Sequence, residues 1–157
     1  MITITCQTGE IIELSLDSLE SADFSRMALH RAIFTNKKMV GASFESADLR
    51  GALFDMADVK SCDFSRARLM NAVFVQADLR RAGFRGSGLI GANFDGADLR
   101  GADLTGADIA FATFKGADAR GATLLCERLT EADMSEMIYD RSTIFSEGFE
   151  PPLSLNR

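Results

Sequence analysis

The feature that most constrains this chain is a repeat of five residues. Between Gly91 and Ala122 the sequence reads GANFDGADLRGADLTGADIAFATFKGADARGA, in which a small residue and a large apolar residue recur at every fifth position with one polar residue between them. An α-helix repeats every 3.6 residues and a β-strand every two, so neither element explains a period of five. A short repeat sustained over many units indicates a solenoid, in which each unit buries its apolar residues against its neighbours.

The same frame can be followed from Phe24 to Tyr139, and it predicts a series without insertion or deletion. We call the large position of each unit its centre; the residue two before the centre is alanine in most units. Phenylalanine occupies every tenth position as far as Phe94, and aliphatic residues fill the alternate centres. The predicted buried stack comprises Phe24, Phe34, Phe44, Phe54, Phe64, Phe74, Phe84, Phe94, Phe114, Leu49, Leu69, Leu79, Leu89 and Leu99.

These units, roughly Ala-(Asp/Asn)-(Leu/Phe)-X-Gly, resemble those of the pentapeptide-repeat family over about residues 22–140. The resemblance implies an all-β fold, a right-handed quadrilateral β-helix in which four units make one square coil. The centre and the residue two before it would then point inward, which in the last units places Glu127 and Met137 at inward positions. The frame has room for about six coils. In such a coil, a period of ten stacks phenylalanines above one another on two opposite faces.

The two ends of the chain depart from this frame. Ile2, Ile4 and Cys6 alternate with threonine before Gly9 interrupts the run, which predicts a hairpin-like cap within residues 1–21. Residues 141–157 are predicted to form an irregular C-terminal cap or tail after the repeat at 22–140, the whole being one structural domain. The residues expected to pack over the last coil, as a lid or a dimer contact, are Tyr139, Ile144, Phe145 and Phe149.

The motifs that could carry chemistry are weak. Residues 86–91 match G-x-G-x-x-G by letter, but their glycines are in phase with the fives and no helix follows. His30 is the only histidine, and Cys6, Cys62 and Cys126 do not have the spacing of metal ligands. The many aspartates recur as turn residues, so none is a good candidate for a unique catalyst. The sequence therefore predicts no enzyme, and no catalytic, cofactor-binding or metal-binding residue.

One outer face is predicted to carry a charged ladder. Acidic and basic residues alternate there around successive centres, at Asp58, Lys60, Asp78, Arg80, Asp98, Arg100, Asp118 and Arg120. A stripe of unpaired basic residues would indicate an anionic partner such as nucleic acid. Because each basic residue has an aspartate two positions away, the sequence favours a ladder of exposed ion pairs, and no direct binding of nucleic acid is expected.

Apolar residues replace the usual polar ones along one corner of the predicted rod. This candidate interaction patch comprises Ile33, Leu53, Val73, Met56, Val75, Met70, Ile90 and Phe111. Single apolar residues on a surface are normal, whereas contiguous ones indicate a partner site. The sequence therefore favours a protein-interaction module or scaffold whose protein partner it does not identify. A homodimer, formed through an end of the rod or through the patch, is a further expectation.

The resemblance also implies an alternative function. Some pentapeptide-repeat proteins are DNA mimics that bind DNA gyrase and other type II topoisomerases and protect against quinolones. A mimic needs a strongly acidic rod, but the net charge of −6 comes largely from Glu10, Glu13, Asp17 and Glu20, which precede the repeat. The unbroken frame also leaves no room for the projecting loops of that branch. The sequence has neither a membrane-spanning run nor a secretory signal, and we expect a bacterial, cytoplasmic protein.

Overall fold

The regular elements of the fold are short and lie near its two ends. The structure is a computed structural model that describes residues 1–151, so residues 152–157 of the predicted C-terminal segment lie outside the described residues. Its elements are strand β1 (Ile2–Thr5), strand β2 (Ile11–Leu14), strand β3 (Thr123–Leu124), a 3-10 helix (Leu129–Glu131) and strand β4 (Ile144–Phe145). Strands β1 and β2 form an antiparallel pair, and strands β3 and β4 form a parallel pair.

Between the ends, isolated parallel bridges join residues twenty positions apart. The bridges recur every five residues, so one turn of the chain takes twenty residues and contributes to four columns of bridged residues. The first column contains Asp23, Ser43, Asp63, Gly83, Asp103 and Thr123; the second contains Ala28, Asp48, Arg68, Gly88 and Asp108. The third contains Ile33, Leu53, Val73, Asn93, Thr113 and Asp133; the fourth contains Lys38, Asp58, Asp78, Asp98, Asp118 and Ile138. The chain is thus an all-β solenoid of the β-helix type.

Each unit turns a corner through a residue in the left-handed conformation. Gly96 is an example, with φ at 66° and its N–H donating to the carbonyl of Lys115 in the next turn at 2.9 Å. Glycine takes a positive φ without steric cost, which explains its place at the end of the repeat motif. Residues with side chains take the same conformation at other corners, including Met56 at φ 55° and Phe111 at φ 57°.

The inward residues form one core along the axis of the solenoid. All fourteen residues of the predicted buried stack are fully buried. Phe44 and Phe64 stack with centroids 5.0 Å apart and planes 4° apart, and Phe54 meets both edge-on at 5.7 and 5.5 Å. Offset-stacked and edge-to-face arrangements are the favourable ones for aromatic rings. The phenylalanines therefore make two stacks that run side by side through the core.

The frame of five is broken once, near the C-terminal end. Asp108 bridges Glu127 nineteen positions later, whereas Thr113 bridges Asp133 at the usual twenty. One unit is therefore a residue short and the next a residue long, and the 3-10 helix lies in the longer one. The prediction that Glu127 points inward was wrong: it is exposed, and Cys126 lies one position earlier with its thiol 3.4 Å from a backbone carbonyl of the preceding turn. This slip keeps a carboxylate out of an apolar core, where burial would be costly.

The N-terminal hairpin covers one end of the solenoid. The N–H of Ile33 donates to the carbonyl of Thr5 at 2.8 Å, and the N–H of Gln7 donates to the carbonyl of Arg31 at 2.9 Å. Ile4 and Cys6 on the inner side of the hairpin are buried. Strand β1 thereby pairs with the first turn and occupies backbone groups that the end of a β-helix would otherwise leave open.

The C-terminal segment covers the other end with aromatic side chains. Tyr139 contacts Phe145 edge-on at 5.3 Å, Phe145 contacts Phe149 at 5.6 Å, and all three are half-buried against the core. The prediction that Ile144 packs over the last coil was wrong, because its side chain is 52% exposed. Successive residues of a strand point to opposite sides, and Phe145 takes the inward side of β4.

Candidate interaction surface

The centre of the apolar surface is the first half of the third column. Ile33 bridges Leu53 and Leu53 bridges Val73, so their side chains leave the same face one turn apart. All three are half-buried by their neighbours and open on the outer side. The sequence-based patch is therefore brought together on one face, which we call the third-column face. It continues into the polar residues Asn93, Thr113 and Asp133.

The other patch residues lie along the two edges of this face. Met70 and Ile90 lie one turn apart on the edge shared with the second column; Met70 is 41% exposed and Ile90 is half-buried. Met56 and Val75 lie on the edge shared with the fourth column, where the N–H of Met56 donates to the carbonyl of Val75 at 2.9 Å. Phe111 extends the first edge by one further turn. The apolar surface therefore spans the width of the face rather than a single corner.

The hairpin extends this surface with a residue that sequence reasoning missed. Ile11 pairs with Thr5 across β1 and β2, and Thr5 is hydrogen-bonded to Ile33 of the third column. Ile11 is 61% exposed. Ile11 and Ile12 are adjacent, and the sequence alone does not show which of the two side chains faces outward. The register of the hairpin decides it, because Ile11 pairs with Thr5 and Ile12 with Ile4. The alternation of side chains along a strand shows that Ile11 and Ile12 point to opposite sides, but it does not show which of the two is the outer one.

Two of the exposed apolar residues occupy corners that favour glycine. Met56 and Phe111 both have positive φ, and Phe111 is 69% exposed. A residue with a Cβ in this region costs free energy relative to glycine. Neither side chain compensates by full burial. The other non-glycine residues of 1–151 with positive φ are polar, so these two corners differ from the rest by carrying exposed apolar side chains.

The charged ladder lies on the neighbouring fourth column and is internally paired. Arg80 donates from Nε to Oδ1 of Asp78 at 2.8 Å and from Nη2 to Oδ2 at 2.7 Å, and it approaches Asp98 of the next turn at 3.6 Å. The same two-point contact joins Arg120 to Asp118. These arginines hold the pKa of Asp78 and of Asp118 below the usual value. The ladder is therefore a set of neutralised pairs rather than an open basic stripe.

Lysine at position 60 interrupts the regularity of this ladder. Its Nζ reaches Oδ2 of Asp58 at 3.0 Å and Oδ2 of Asp78 at 3.7 Å. Within residues 1–151, Oδ1 of Asp58 is buried and has no hydrogen-bond partner. An arginine in the other turns supplies that bond from Nε, which a lysine lacks.

The clefts of residues 1–151 include an open groove on the ladder and a cleft at the C-terminal end. The groove, of about 490 Å³, has a lining that includes Lys60, Arg80 and Arg100 of the ladder. The C-terminal cleft, of about 450 Å³, lies beside Met134 and Phe149. Lys60, Arg80 and Arg100 are paired with aspartates of the ladder, whereas Arg81, which also lines the groove, makes no ion pair within residues 1–151. The groove therefore presents one unpaired basic group rather than an open basic stripe.

Groups with intrinsic reactivity are buried or scattered. Burial raises the pKa of the Cys62 and Cys126 thiols to about 12, so both remain protonated at neutral pH. No set of three or more histidine, cysteine or carboxylate side chains in residues 1–151 is arranged to hold a metal ion. The same residues contain no helix with the length and apolar character needed to cross a membrane.

Comparison with family models matches this sequence to pentapeptide repeats. Eight copies are found, covering residues 38–66, 47–86, 62–101 and 87–124. Together these ranges cover more than half of the chain. No match was found among curated proteins.

Several solved structures are similar to this one. HetL, a pentapeptide repeat protein involved in heterocyst differentiation regulation in the cyanobacterium Nostoc sp. strain PCC 7120, has a TM-score of 0.69 at 21% identity; the match covers 79% of this chain and 56% of HetL. A pentapeptide repeat protein from the thylakoid lumen of Arabidopsis thaliana has a TM-score of 0.59 at 32% identity, covering 60% of this chain and 66% of that one. QnrB1, a plasmid-mediated fluoroquinolone resistance protein, has a TM-score of 0.50 at 17% identity, covering 83% of each chain. The chain thus spans less than two thirds of the length of the first two.

Proposed function

The chain belongs to the pentapeptide-repeat family, and on that premise we propose that it is a non-enzymatic interaction module whose binding surface is the third-column face. Proteins of this family are generally structural or interaction proteins. The proposal includes the finer architecture that the family resemblance implies, a right-handed quadrilateral β-helix, with room in the repeat for about six coils. The bridges between residues twenty positions apart support it.

The observation that carries this proposal is the contiguous apolar surface. Leu53 and Val73 lie at its centre, Met56 and Met70 lie on opposite edges, and Ile11 continues it over the hairpin. Contiguous apolar area of this kind on a soluble domain marks a contact with another protein more often than chance. The two exposed side chains at left-handed corners support the same interpretation.

A role as a DNA mimic has less support. The likeness to QnrB1 is one of fold, and it does not transfer that protein's activity. A mimic of duplex DNA must present unpaired carboxylates, whereas Asp78 and Asp118 are each bound at two points by arginine. A gyrase supercoiling assay with and without the protein separates the two functions, and the proposal expects no effect of the protein on supercoiling.

The central test replaces the two residues at the middle of the face. Leu53→Asp combined with Val73→Asp puts two carboxylates on the apolar surface, and we expect it to abolish self-association or partner binding while the far-ultraviolet circular dichroism stays unchanged. The matched control is Ala28→Asp with Gly88→Asp, because the second column already carries aspartate at Asp48. An added Cβ at Gly88 meets no atom within 4 Å. Unchanged sedimentation and pull-down profiles for the first variant would refute the proposal.

A further inference from the structure

The third-column face has a cation on one edge and, one turn further along, a carboxylate on the other edge. The side chain of Arg31 extends over the next turn, with its Cγ 3.4 Å from the position that a Cβ of Gly51 would take. Gly51 and Asp55 each lie two residues from Leu53, on opposite sides of it. Opposite charges therefore flank the apolar residue Leu53 across the width of the face.

Neither of these charged side chains is paired within the fold. Among residues 1–151, neither the guanidinium of Arg31 nor the carboxylate of Asp55 makes a hydrogen bond or ion pair, and both are accessible to solvent. Arg50 on the same edge is different, because it binds Asp48 at two points, 2.8 and 2.6 Å. The edge charges beside Leu53 thus remain available to another molecule.

We infer that the occupant of the third-column face is a second copy of this chain, packed face to face with the two rods parallel. This inference rests on the proposed function and specifies its partner. A two-fold axis parallel to the rods places each edge of the face over the opposite edge of the other copy at the same level. Met70 of each copy then faces Val75 of the other, and Leu53 lies over Leu53. Arg31, whose side chain leans toward the turn of Leu53, comes within reach of Asp55 of the other copy.

The antiparallel arrangement lacks this complementarity. An axis perpendicular to the rods places each edge over the same edge of the other copy, so Arg31 never meets Asp55. Only the parallel arrangement brings both opposite-charge pairs together around the apolar centre. The contact is isologous, meaning that it closes on itself and produces a dimer rather than a filament.

The shape of the face suits this contact. The rings beneath it stack with planes 17°, 9° and 1° apart from Phe34 through Phe54 and Phe74 to Phe94, so successive turns twist little relative to one another. A flat face can meet its copy along its whole length. Strand β1 with four turns extends about 24 Å at roughly 4.8 Å per strand. Two such faces bury an area at the low end of stable interfaces, below about 1,200 Å², so the dimer dissociates as the protein is diluted.

The test uses sedimentation equilibrium of the full chain over a range of concentrations. The wild type is expected to show a monomer–dimer equilibrium. Arg31→Asp alone and Asp55→Arg alone each place like charges at two symmetric contacts, and each is expected to weaken dimerisation by about tenfold or more. The control is Arg81→Asp, because Arg81 is an exposed corner residue with φ 60° that makes no ion pair within residues 1–151, and it lies on another edge. This control is expected to leave dimerisation unchanged.

Mixing the two single variants gives the sharpest outcome. A heterodimer of Arg31→Asp with Asp55→Arg has two attractive pairs, so the mixture is expected to associate about as tightly as the wild type although neither variant does so alone. The double variant is expected to recover in the same way. Thermal unfolding of every variant is compared with the wild type, so that a folding defect is recognised.

Three results would overturn the inference. One is a wild type that stays monomeric at all concentrations, and another is single variants that dimerise as well as the control. The third is a mixture of single variants that fails to associate. The proposed function is judged separately: if the chain is monomeric but Leu53→Asp with Val73→Asp still loses a partner protein that the control retains, the face binds another protein and only the identity of the partner is wrong.

Discussion

The stacked rings of the core allow a prediction in which two buried phenylalanines differ mainly in their ring contacts. Phe64 has four aromatic neighbours, with centroids at 5.0, 5.5, 5.7 and 4.9 Å. Among residues 1–151, Phe114 has one, Phe94 at 4.9 Å. Both side chains are fully buried. Replacing each by leucine removes the same atoms from the core, so the difference between the two variants isolates the ring contacts.

The expected difference follows from the contacts that each ring loses. An aromatic pair contributes about 0.5–1.5 kcal/mol beyond the burial of its area. Phe64→Leu removes three more such pairs than Phe114→Leu, so it should lower the free energy of unfolding by about 1.5–4.5 kcal/mol more. Urea denaturation followed by circular dichroism measures both values. Equal losses from the two variants would refute the reasoning, since ring contacts would then contribute nothing beyond burial.

A positional control is needed because Phe114 lies nearer the C-terminal end. Leu69 and Leu104 are fully buried leucines in the corresponding regions of the core. Leu69→Ala and Leu104→Ala should destabilise the protein to a similar extent, within about 1 kcal/mol of each other. If these controls differ as much as the phenylalanine variants do, the difference reflects position along the solenoid.

Three further predictions concern the surface. Lys60→Arg should supply the bond that Oδ1 of Asp58 lacks and raise the free energy of unfolding by about 0.3–1 kcal/mol, measured by thermal unfolding; an unchanged midpoint would contradict it. The pKa of the Asp78 carboxyl is lower in the folded protein than in the unfolded chain. The ionised carboxylate therefore stabilises the fold fully above the unfolded pKa of about 3.9, and this stabilisation is lost as the pH falls through the folded pKa. Asp78→Asn should therefore lose less stability than the wild type between pH 5 and acid conditions in urea titrations, and an identical acid profile would contradict this. Phe111→Gly should relieve the strain at φ 57° and stabilise the fold by about 0.5–1 kcal/mol, which denaturation also tests; a destabilised variant would show that the exposed ring contributes to folding.

Much of the interior could be predicted because the period of five has one physical interpretation. If the chain turns by a quarter of a revolution every five residues, the small and the large apolar residue of each unit are buried together against the turns on either side. Phe64 and Leu69 therefore had to point inward, and both are fully buried. The ion pairs of the charged ladder could also be predicted, because successive turns repeat the same two residues, as at Asp78 and Arg80.

The slip near Glu127 was not predictable from the pattern. If the unit is shifted by one residue, Cys126 takes the small inward position. If the frame of five continues unshifted, Leu129 takes the large inward position. The sequence is therefore compatible with either register. The structure uses both residues, with Leu129 buried and Cys126 half-buried, and lengthens the next unit to restore the frame. A choice between two nearly equal registers depends on the packing of the whole turn, which a single sequence does not display.

The candidate surface was predictable only in part. Leu53 and Val73 could be assigned to one face from their spacing of twenty. Ile11 could not, because its position depends on how the hairpin docks on the first turn. The unpaired state of Arg31 and Asp55 was also beyond the sequence, since it depends on which neighbours each long side chain can reach.

The spacing of twenty residues between bridged positions has a consequence for how such a molecule can change in length. Inserting five residues after Gly96 would rotate everything that follows by a quarter of a revolution, and Phe111 would leave the edge it shares with Met70. Inserting twenty would add one layer of about 4.8 Å and keep every later side chain pointing the same way. The solenoid can therefore be lengthened or shortened only by whole turns of twenty residues if the positions of its surface residues are to be kept.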